Sequence, residues 1–298
     1  MTEISVIVPF YNSERYLERS LTSLRDQVGP SMEFICIDDG STDGSALICR
    51  SFAESDDRFR YVRIDHSGVS AARNEGLRTS SGRYVCFLDS DDELRRGSLC
   101  YLYKAAIEND CDTVKFNAKI IHGPKWMKDC FSRHNELIDG FDEDDIFKNR
   151  DTRPFVWAHF IRKTSIEGIQ FNESLTMGED QEFIIRYMKK VNRVLFTGKV
   201  AYNHYVYDDS SYGRVSTDWD KKCEQHIMMV ESVLPVINSD CKEYAEWVFD
   251  ILYEPYSKSS KNREIRDSIL SIFETASIGD RIDDRKRKKW FSELIRTS

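Results

Sequence analysis

Several absences narrow this chain before any motif does. No stretch approaches the ~20 consecutive apolar residues that a bilayer-spanning helix requires. The opening MTEISVIVPFYN carries no basic n-region and no signal-peptidase site, so a cytoplasmic protein is expected. None of the eight cysteines (Cys36, Cys49, Cys86, Cys100, Cys111, Cys130, Cys223 and Cys241) belongs to a C-x-x-C pair. Cys36 and Cys86 lie in apolar, strand-like runs, so reduced thiols are expected rather than disulfides or a zinc site. A basic surplus is missing too: the net charge is -8, which leaves no electrostatic footprint for nucleic acid. No internal repeat and no low-complexity tract occurs.

One segment runs against the acidic balance. Near the end, Arg281, Arg285, Lys286, Arg287, Lys288 and Lys289 precede Trp290 and Phe291. A basic run is ordinarily a solvated face. Beside two aromatic rings it also suits peripheral association with an anionic membrane, worth about 1 kcal/mol per cation.

What is present is an ordinary globular composition, 298 residues with 40% hydrophobic and 32% charged side chains. The first third alternates short apolar runs with helical patterns: ISVIVP, a helix with Leu17, Leu21 and Leu24 on one face, EFICID, a helix around Leu47, Ile48 and Phe52 that Asp43 can cap, RYVRID, a short helix from Ala71 to Leu77, and YVCFLD. This is the grammar of a largely parallel sheet flanked by helices. In such sheets ligands bind beyond the carboxyl ends of the strands. Those ends carry Pro9-Phe10-Tyr11-Asn12, Asp38-Asp39-Gly40-Ser41 and Asp89-Ser90-Asp91-Asp92, so five carboxylates and an aromatic ring face one crevice. Residues 119 to 150 weaken into a polar stretch that reads as loops with short helices. Order returns in PFVWAHFIRKTSI, in the helix GEDQEFIIRYMKK with Phe183, Ile184 and Tyr187 toward a core, and in two short strands, RVLFTG and VAYNHYVY. Beyond residue 215 the pattern is of amphipathic helices.

DSDD, directly after the apolar strand YVCFL, is the strongest chemical signal. Crowded carboxylates cost free energy unless a cation offsets them. Oxygen ligands select Mg²⁺ or Mn²⁺, which commonly bridge protein carboxylates to substrate phosphates; the bland alternative is a solvated acidic loop. IDDGSTDGS alone is a turn leading into a helix. Beside VPFYN it becomes more, since a Tyr ring can stack on a base while an Asp accepts from a ring N–H, which makes a uracil-sized site.

Five strings in order, VIVPFYN, IDDGSTDGS, SGVSAARNEGL, GRYVCFLDSDD and GEDQEF, resemble the inverting glycosyltransferases of family 2, which have the GT-A fold. The resemblance covers about residues 3 to 212. It implies a catalytic domain over 1–214, with a nucleotide-sugar part to about 110 and an acceptor-side part from 111, followed by a helical extension over 215–298. The implied reaction moves a sugar from a nucleotide-sugar, a UDP-sugar foremost, to a saccharide or lipid-linked acceptor, with Mn²⁺ or Mg²⁺ as cofactor. Carried over by position, Pro9, Tyr11 and Glu14 line the nucleoside pocket, with Asp38 and Asp39 at the base. Arg73 reaches the donor. Asp89, with Ser90 beside it, lies at the ribose and metal, Asp91 is the leading metal ligand, and Asp92 contacts the donor sugar. Glu179 and Asp180 are the acidic pair near the acceptor, with Asp180 the base; the alternative for both is helix-start chemistry. His204 falls where some relatives hold a residue near the diphosphate or metal. Ser210, Ser211 and Arg214 follow on a loop that could close over the donor. Two rivals remain: a sugar-1-phosphate nucleotidyltransferase, for which PFYNSERY lacks the Gly-rich basic loop, and a non-catalytic nucleotide- or carbohydrate-binding protein, against which DSDD and GED both stand.

Overall fold

The strands β1 (Ile4–Phe10) and β2 (Met32–Asp38) are buried at every position. Burial on both faces is what near-continuous apolar runs give at the centre of a parallel sheet. These coordinates are a computed structural model that describes residues 2–122, 125–129, 135–141, 143–148, 155–207, 218–237, 242–260, 262–278, 288–290, 292 and 294. Three helices cross between the first four strands: α1 (Leu17–Arg25), α2 (Ser45–Ser55) and α3 (Val69–Thr79), which alternate with β3 (Phe59–Arg63) and β4 (Tyr84–Phe87). Leu17, Leu21 and Leu24 of α1 are fully buried, as their shared face requires. Ser45 at the start of α2 donates its N–H to Asp43 at 3.0 Å, but the N-cap residue is Gly44, so Asp43 lies one position ahead of the expected cap.

The chain continues through β5 (Glu93–Leu94), α4 (Ser98–Glu108), β6 (Thr113–His122), β7 (Lys125–Asp129), β8 (Glu136–Asp139), α5 (Glu143–Lys148), β9 (His159–Arg162), α6 (Glu179–Met188) and β10 (Arg193–Val206). Among the described residues all ten strands form one sheet in the order β3-β2-β1-β4-β9-β6-β10-β5, with β7 on β6 and β8 on β10. Pairing is parallel from β3 to β4 and between β6 and β10, and antiparallel where β5, β7, β8 and β9 join. The expected mixed α/β architecture is therefore present.

Two local expectations change. The stretch from 119 holds the end of β6 and the strands β7 and β8, not only loops and short helices. β6 begins ahead of that stretch, and its own apolar run is interrupted by Lys115 and Asn117, buried at 2% and 1% exposure. The two short strands after residue 192 are one strand, β10, whose register on β6 slips between Phe196 and Val200 and again between Val200 and Tyr202. A bulge of this kind breaks the two-residue alternation that sequence reading depends on.

The chain divides into two compact units. The first comprises 1–141, 155–173 and 190–214 and contains the sheet; the second comprises 142–154, 174–189 and 215–298. The second holds α5, α6, α7 (Trp219–Val233), α8 (Lys242–Lys258) and α9 (Arg263–Thr275). Thus 142–154 and 174–189, expected within one run to residue 214, side with the helices. For 174–189 the reason lies in α6, which packs against α5 and α7 of the same unit. Trp290 is also accounted for here: its ring edge meets Phe249 at 4.9 Å and Tyr253 at 5.4 Å. The basic residues from Arg281 to Arg287, with Phe291, lie outside the described residues. No helix among the described residues is long and apolar enough to cross a membrane. The six described cysteines are free thiols.

Candidate functional site

Because β1, β2 and β4 run parallel in register, with Phe10 beside Asp38 and Ile7 beside Phe87, their carboxyl ends reach one edge of the sheet. A cavity of about 190 Å³ opens there, lined in part by Pro9, Phe10, Tyr11, Asp39, Asp89 and Asp91, with Ser13, Ser90, Val69 and Ala72 completing it. Of the expected nucleotide residues, Pro9, Tyr11, Asp39, Asp89 and Ser90 are brought together.

Tyr11 leaves 44% of its surface exposed, unusual for an aromatic ring at the end of a buried strand. One face stacks on His66, with centroids 4.1 Å apart and planes at 23°. Asp39 is buried and held from three sides. Its carboxylate accepts from the N–H groups of Ser67 at 2.7 Å and Gly68 at 3.0 Å, and lies 2.9 Å from Nδ1 of His66. Gly68 adopts φ 94°, a conformation that favours glycine, and so turns its N–H onto the carboxylate. His66 went unremarked in the sequence because one histidine ahead of SGVS carries no pattern.

Asp38 occupies a different environment from the one expected of a base-contacting residue. It is fully buried. One carboxylate oxygen accepts from the Ser41 N–H at 2.7 Å; the other accepts from the Tyr61 hydroxyl at 2.7 Å and the Arg63 guanidinium at 3.0 Å. Its work is to hold the DDGS turn. Glu14 likewise turns to the start of α2 and accepts from the Gly44 N–H at 3.0 Å, and it is not among the cavity-lining residues.

The DSDD turn is braced throughout. Arg73, nearly buried on α3, donates to Asp89 at 3.3 Å, and the Ser90 hydroxyl pairs with that of Ser13 at 2.8 Å. The Arg19 guanidinium donates to the Asp91 carbonyl and, at 2.7 Å, to the Tyr207 hydroxyl. Asp92, expected at the donor sugar, is instead completely buried. Its oxygens accept from the Tyr205 N–H at 2.7 Å and meet Nδ1 of His204 at 2.9 Å. His204 lies against Trp157 with centroids 5.6 Å apart, and the Trp157 ring, 3% exposed, belongs to the core.

The electrostatics single out Asp91. Burial, then the charges of Asp92 and Asp89, push its carboxyl up to about 7. Burial opposes the His204 imidazolium, but the Asp92 bond and the acidic cluster outweigh it and raise its pKa. Among the described residues no three or more His, Cys, Asp or Glu side chains are gathered to hold a metal ion. Of the expected trio Asp91, Asp89 and His204, Asp89 is ion-paired with Arg73 and His204 with Asp92. A carboxylate at the cavity edge whose neighbours are themselves acidic nevertheless suits a divalent cation, which would supply the positive charge that the surroundings of Asp91 lack.

Glu179 and Asp180 open α6 in the second unit, half-buried, after Gly178 at φ 82°. Ser210, Ser211 and Arg214 lie outside the described residues.

Comparison with known proteins bears on the fold and the family. The family model described as Glycosyl transferase family 2 matches residues 5–166. Glycosyltransferase GlyA of Streptococcus pneumoniae is 30% identical over 231 residues, 74% of this chain and 32% of the relative. Minor teichoic acid biosynthesis protein GgaB of Bacillus subtilis is 27% identical over 77% of this chain and 26% of its own length. This chain thus spans about a third or less of those two relatives. The fold resembles the crystal structure of S. aureus TarS 1-349 in complex with UDP-GlcNAc, with TM-score 0.75 and 20% identity over 96% of this chain and 85% of that one. The model match covers more than half of the sequence and takes in Pro9, Tyr11, Asp39, Arg73, Asp89 and Asp91, so the chain belongs to glycosyl transferase family 2.

Proposed function

We propose that this chain transfers a glycosyl group from a UDP-sugar to a hydroxyl of a saccharide or lipid-linked acceptor, with inversion at the anomeric carbon. The observation that carries the reading is the cavity at the strand ends, with an exposed aromatic face on one wall and the acidic turn on the other. Its neighbours in sequence include proteins named for teichoic acid biosynthesis and a poly(ribitol-phosphate) beta-glucosyltransferase, which supports a cell-surface polymer as the acceptor.

Tyr11 stacks on the base, and Asp39, oriented by Ser67 and Gly68, accepts from the base's ring N–H. Asp91, with Asp89 beside it, would hold Mn²⁺ or Mg²⁺, whose charge would offset that of the departing diphosphate. Arg73 fixes Asp89. Asp92 and His204 act from beneath the turn, where their hydrogen bond holds β10 against it. On the family's motif, Asp180 removes the proton from the acceptor hydroxyl as that oxygen attacks the anomeric carbon, and the bond to the nucleoside diphosphate breaks as the new glycosidic bond forms. Glu179 orients the acceptor.

The test is UDP release by purified protein from a panel of UDP-sugars, with and without Mn²⁺, alongside Asp91→Ala. Metal-dependent turnover lost in the variant is expected. If no UDP-sugar is bound or turned over at any metal concentration, the reading fails.

A further inference from the structure

His66 lies on the connection between β3 and α3 and leaves 57% of its side chain exposed, yet its ring is held at two points, by Tyr11 and by Asp39. It is not itself among the residues that line the strand-end cavity. Gly40, at φ 78°, lets the histidine close on the DDGS turn: a Cβ there would lie 3.0 Å from the His66 amide nitrogen and 3.2 Å from its Cβ.

The imidazole sets the hydrogen-bonding capacity of Asp39. Nδ1 lies 2.9 Å from Oδ2 of Asp39 and 3.0 Å from the Asp39 carbonyl oxygen. A carbonyl oxygen only accepts, so Nδ1 carries the ring proton and donates. Each carboxylate oxygen has about two accepting positions. Oδ2 takes the Gly68 N–H and the His66 N–H, whereas Oδ1 takes only the Ser67 N–H. The accepting position that remains is therefore on Oδ1. The imidazole also covers one face of Tyr11, with centroids 4.1 Å apart, and leaves that ring 44% exposed. A base that stacks on Tyr11 without displacing His66 has the opposite face to use.

We propose that His66 is a positioning residue for the nucleobase: its ring backs Tyr11 while its Nδ1–H fills Oδ2 of Asp39, so the base meets one stacking face and one acceptor, Oδ1. A lone acceptor selects by the sense of the hydrogen bond. Uracil presents a ring N–H and fits it. Cytosine presents a lone pair at the same ring position, and its neighbouring amino group finds Oδ2 already filled. Without the imidazole N–H, Oδ2 opens to that amino group and the discrimination weakens. The inference rests on the UDP-sugar reading, and the experiment separates the two.

The experiment is calorimetry of the full chain with UDP and with CDP at one Mn²⁺ concentration, for wild type, His66→Ala and His66→Phe. Wild type should prefer UDP. His66→Phe keeps a flat ring and has no N–H to donate, so UDP affinity should stay within about threefold of wild type while the preference for UDP over CDP shrinks by about fivefold or more. His66→Ala removes ring and donor together and should lose the same preference, and about tenfold in UDP affinity besides. The preference is the readout that a merely structural role would not move, since damage to the fold weakens both nucleotides alike. An unchanged preference in either variant, UDP binding as weak in His66→Phe as in His66→Ala, or a wild type indifferent between the nucleotides overturns the proposal. A wild type that binds neither nucleotide overturns the UDP-sugar reading and the role of His66 with it, whereas UDP binding with an unmoved preference overturns the role of His66 alone.

Discussion

Tyr11 and Asp91 divide the candidate site between shape and charge. A base stacking on an aromatic ring contributes about 1–3 kcal/mol by alanine substitution, so Tyr11→Ala should weaken UDP binding by roughly 5- to 150-fold in calorimetry, with little change in melting temperature because the ring is already exposed. Asp91 should show the opposite balance. Its carboxyl is raised to about 7 by burial and by its acidic neighbours, so the folded protein holds that proton more tightly than the unfolded chain does. That contribution is fully present below the ordinary carboxylate range and is lost as pH rises through about 7. The metal-free protein should therefore melt at a lower temperature at mildly alkaline than at mildly acidic pH. Asp91→Asn should flatten the dependence and raise the alkaline melting temperature, by ~2–4 °C per kcal/mol recovered. Metal affinity should rise across the same interval, since the cation competes with the proton. A melting temperature equally pH-dependent in Asp91→Asn would assign the slope to another group.

Helix α3 shows why an NEGL string has a glycine. A Cβ built on Gly76 would lie 2.3 Å from Cγ2 of Ile7, a fully buried, branched side chain on β1 with no room to withdraw. The helix thus approaches the strand at hydrogen's width, and Gly76→Ala should cost about 1–3 kcal/mol by overpacking. Chemical denaturation measures this directly, and UDP affinity is expected to fall with it because α3 carries Val69, Ala72 and Arg73. Helix α6 yields a kinetic expectation. If Asp180 is the general base, Asp180→Asn should lower kcat by on the order of 10²–10⁴ with UDP affinity unchanged, and Glu179→Gln should do less. Full transfer activity in Asp180→Asn would return the pair to the helix-start chemistry that acids favour at that end of the dipole.

Across the molecule, the two units bear on how the tail is tested. Trp290 packs edge-on against Phe249, Tyr253, Tyr256 and Phe273, so it belongs to the helical unit's aromatic cluster. Trp290→Ala should lower the unfolding transition of that unit, by ~3 kcal/mol or somewhat less because the ring is only half-buried. Removing residues 281 to 298 wholesale would confound that loss with any loss of membrane affinity. Neutralising Arg281, Arg285 and Arg287 while keeping Trp290 separates the two, and liposome sedimentation with anionic vesicles reads the remainder. With two units present, calorimetry should resolve more than one transition or show unequal van't Hoff and calorimetric enthalpies.

The strand-helix alternation of the first third, the buried face of α1, and the three strand ends with their aromatic ring and acids were all legible in the residues. Local hydrophobic period and turn chemistry decide such features, and both are written into short windows of sequence. Legibility failed where long-range packing overrides the local signal. Buried Lys115 and Asn117 disguise β6, and slips in register hide the unity of β10. The carboxylates make the same point most sharply. Asp38, Asp39, Asp89, Asp91 and Asp92 are alike in the sequence, but Asp38 is consumed by Ser41 nearby and by Tyr61, 23 residues away, and Asp92 by Tyr205, 113 residues away, while Asp39, Asp89 and Asp91 line the cavity. Which acids face a ligand depends on which hydrogen-bond donors the fold brings beside them, and residues so far apart in the chain meet only when the sheet and its helices close.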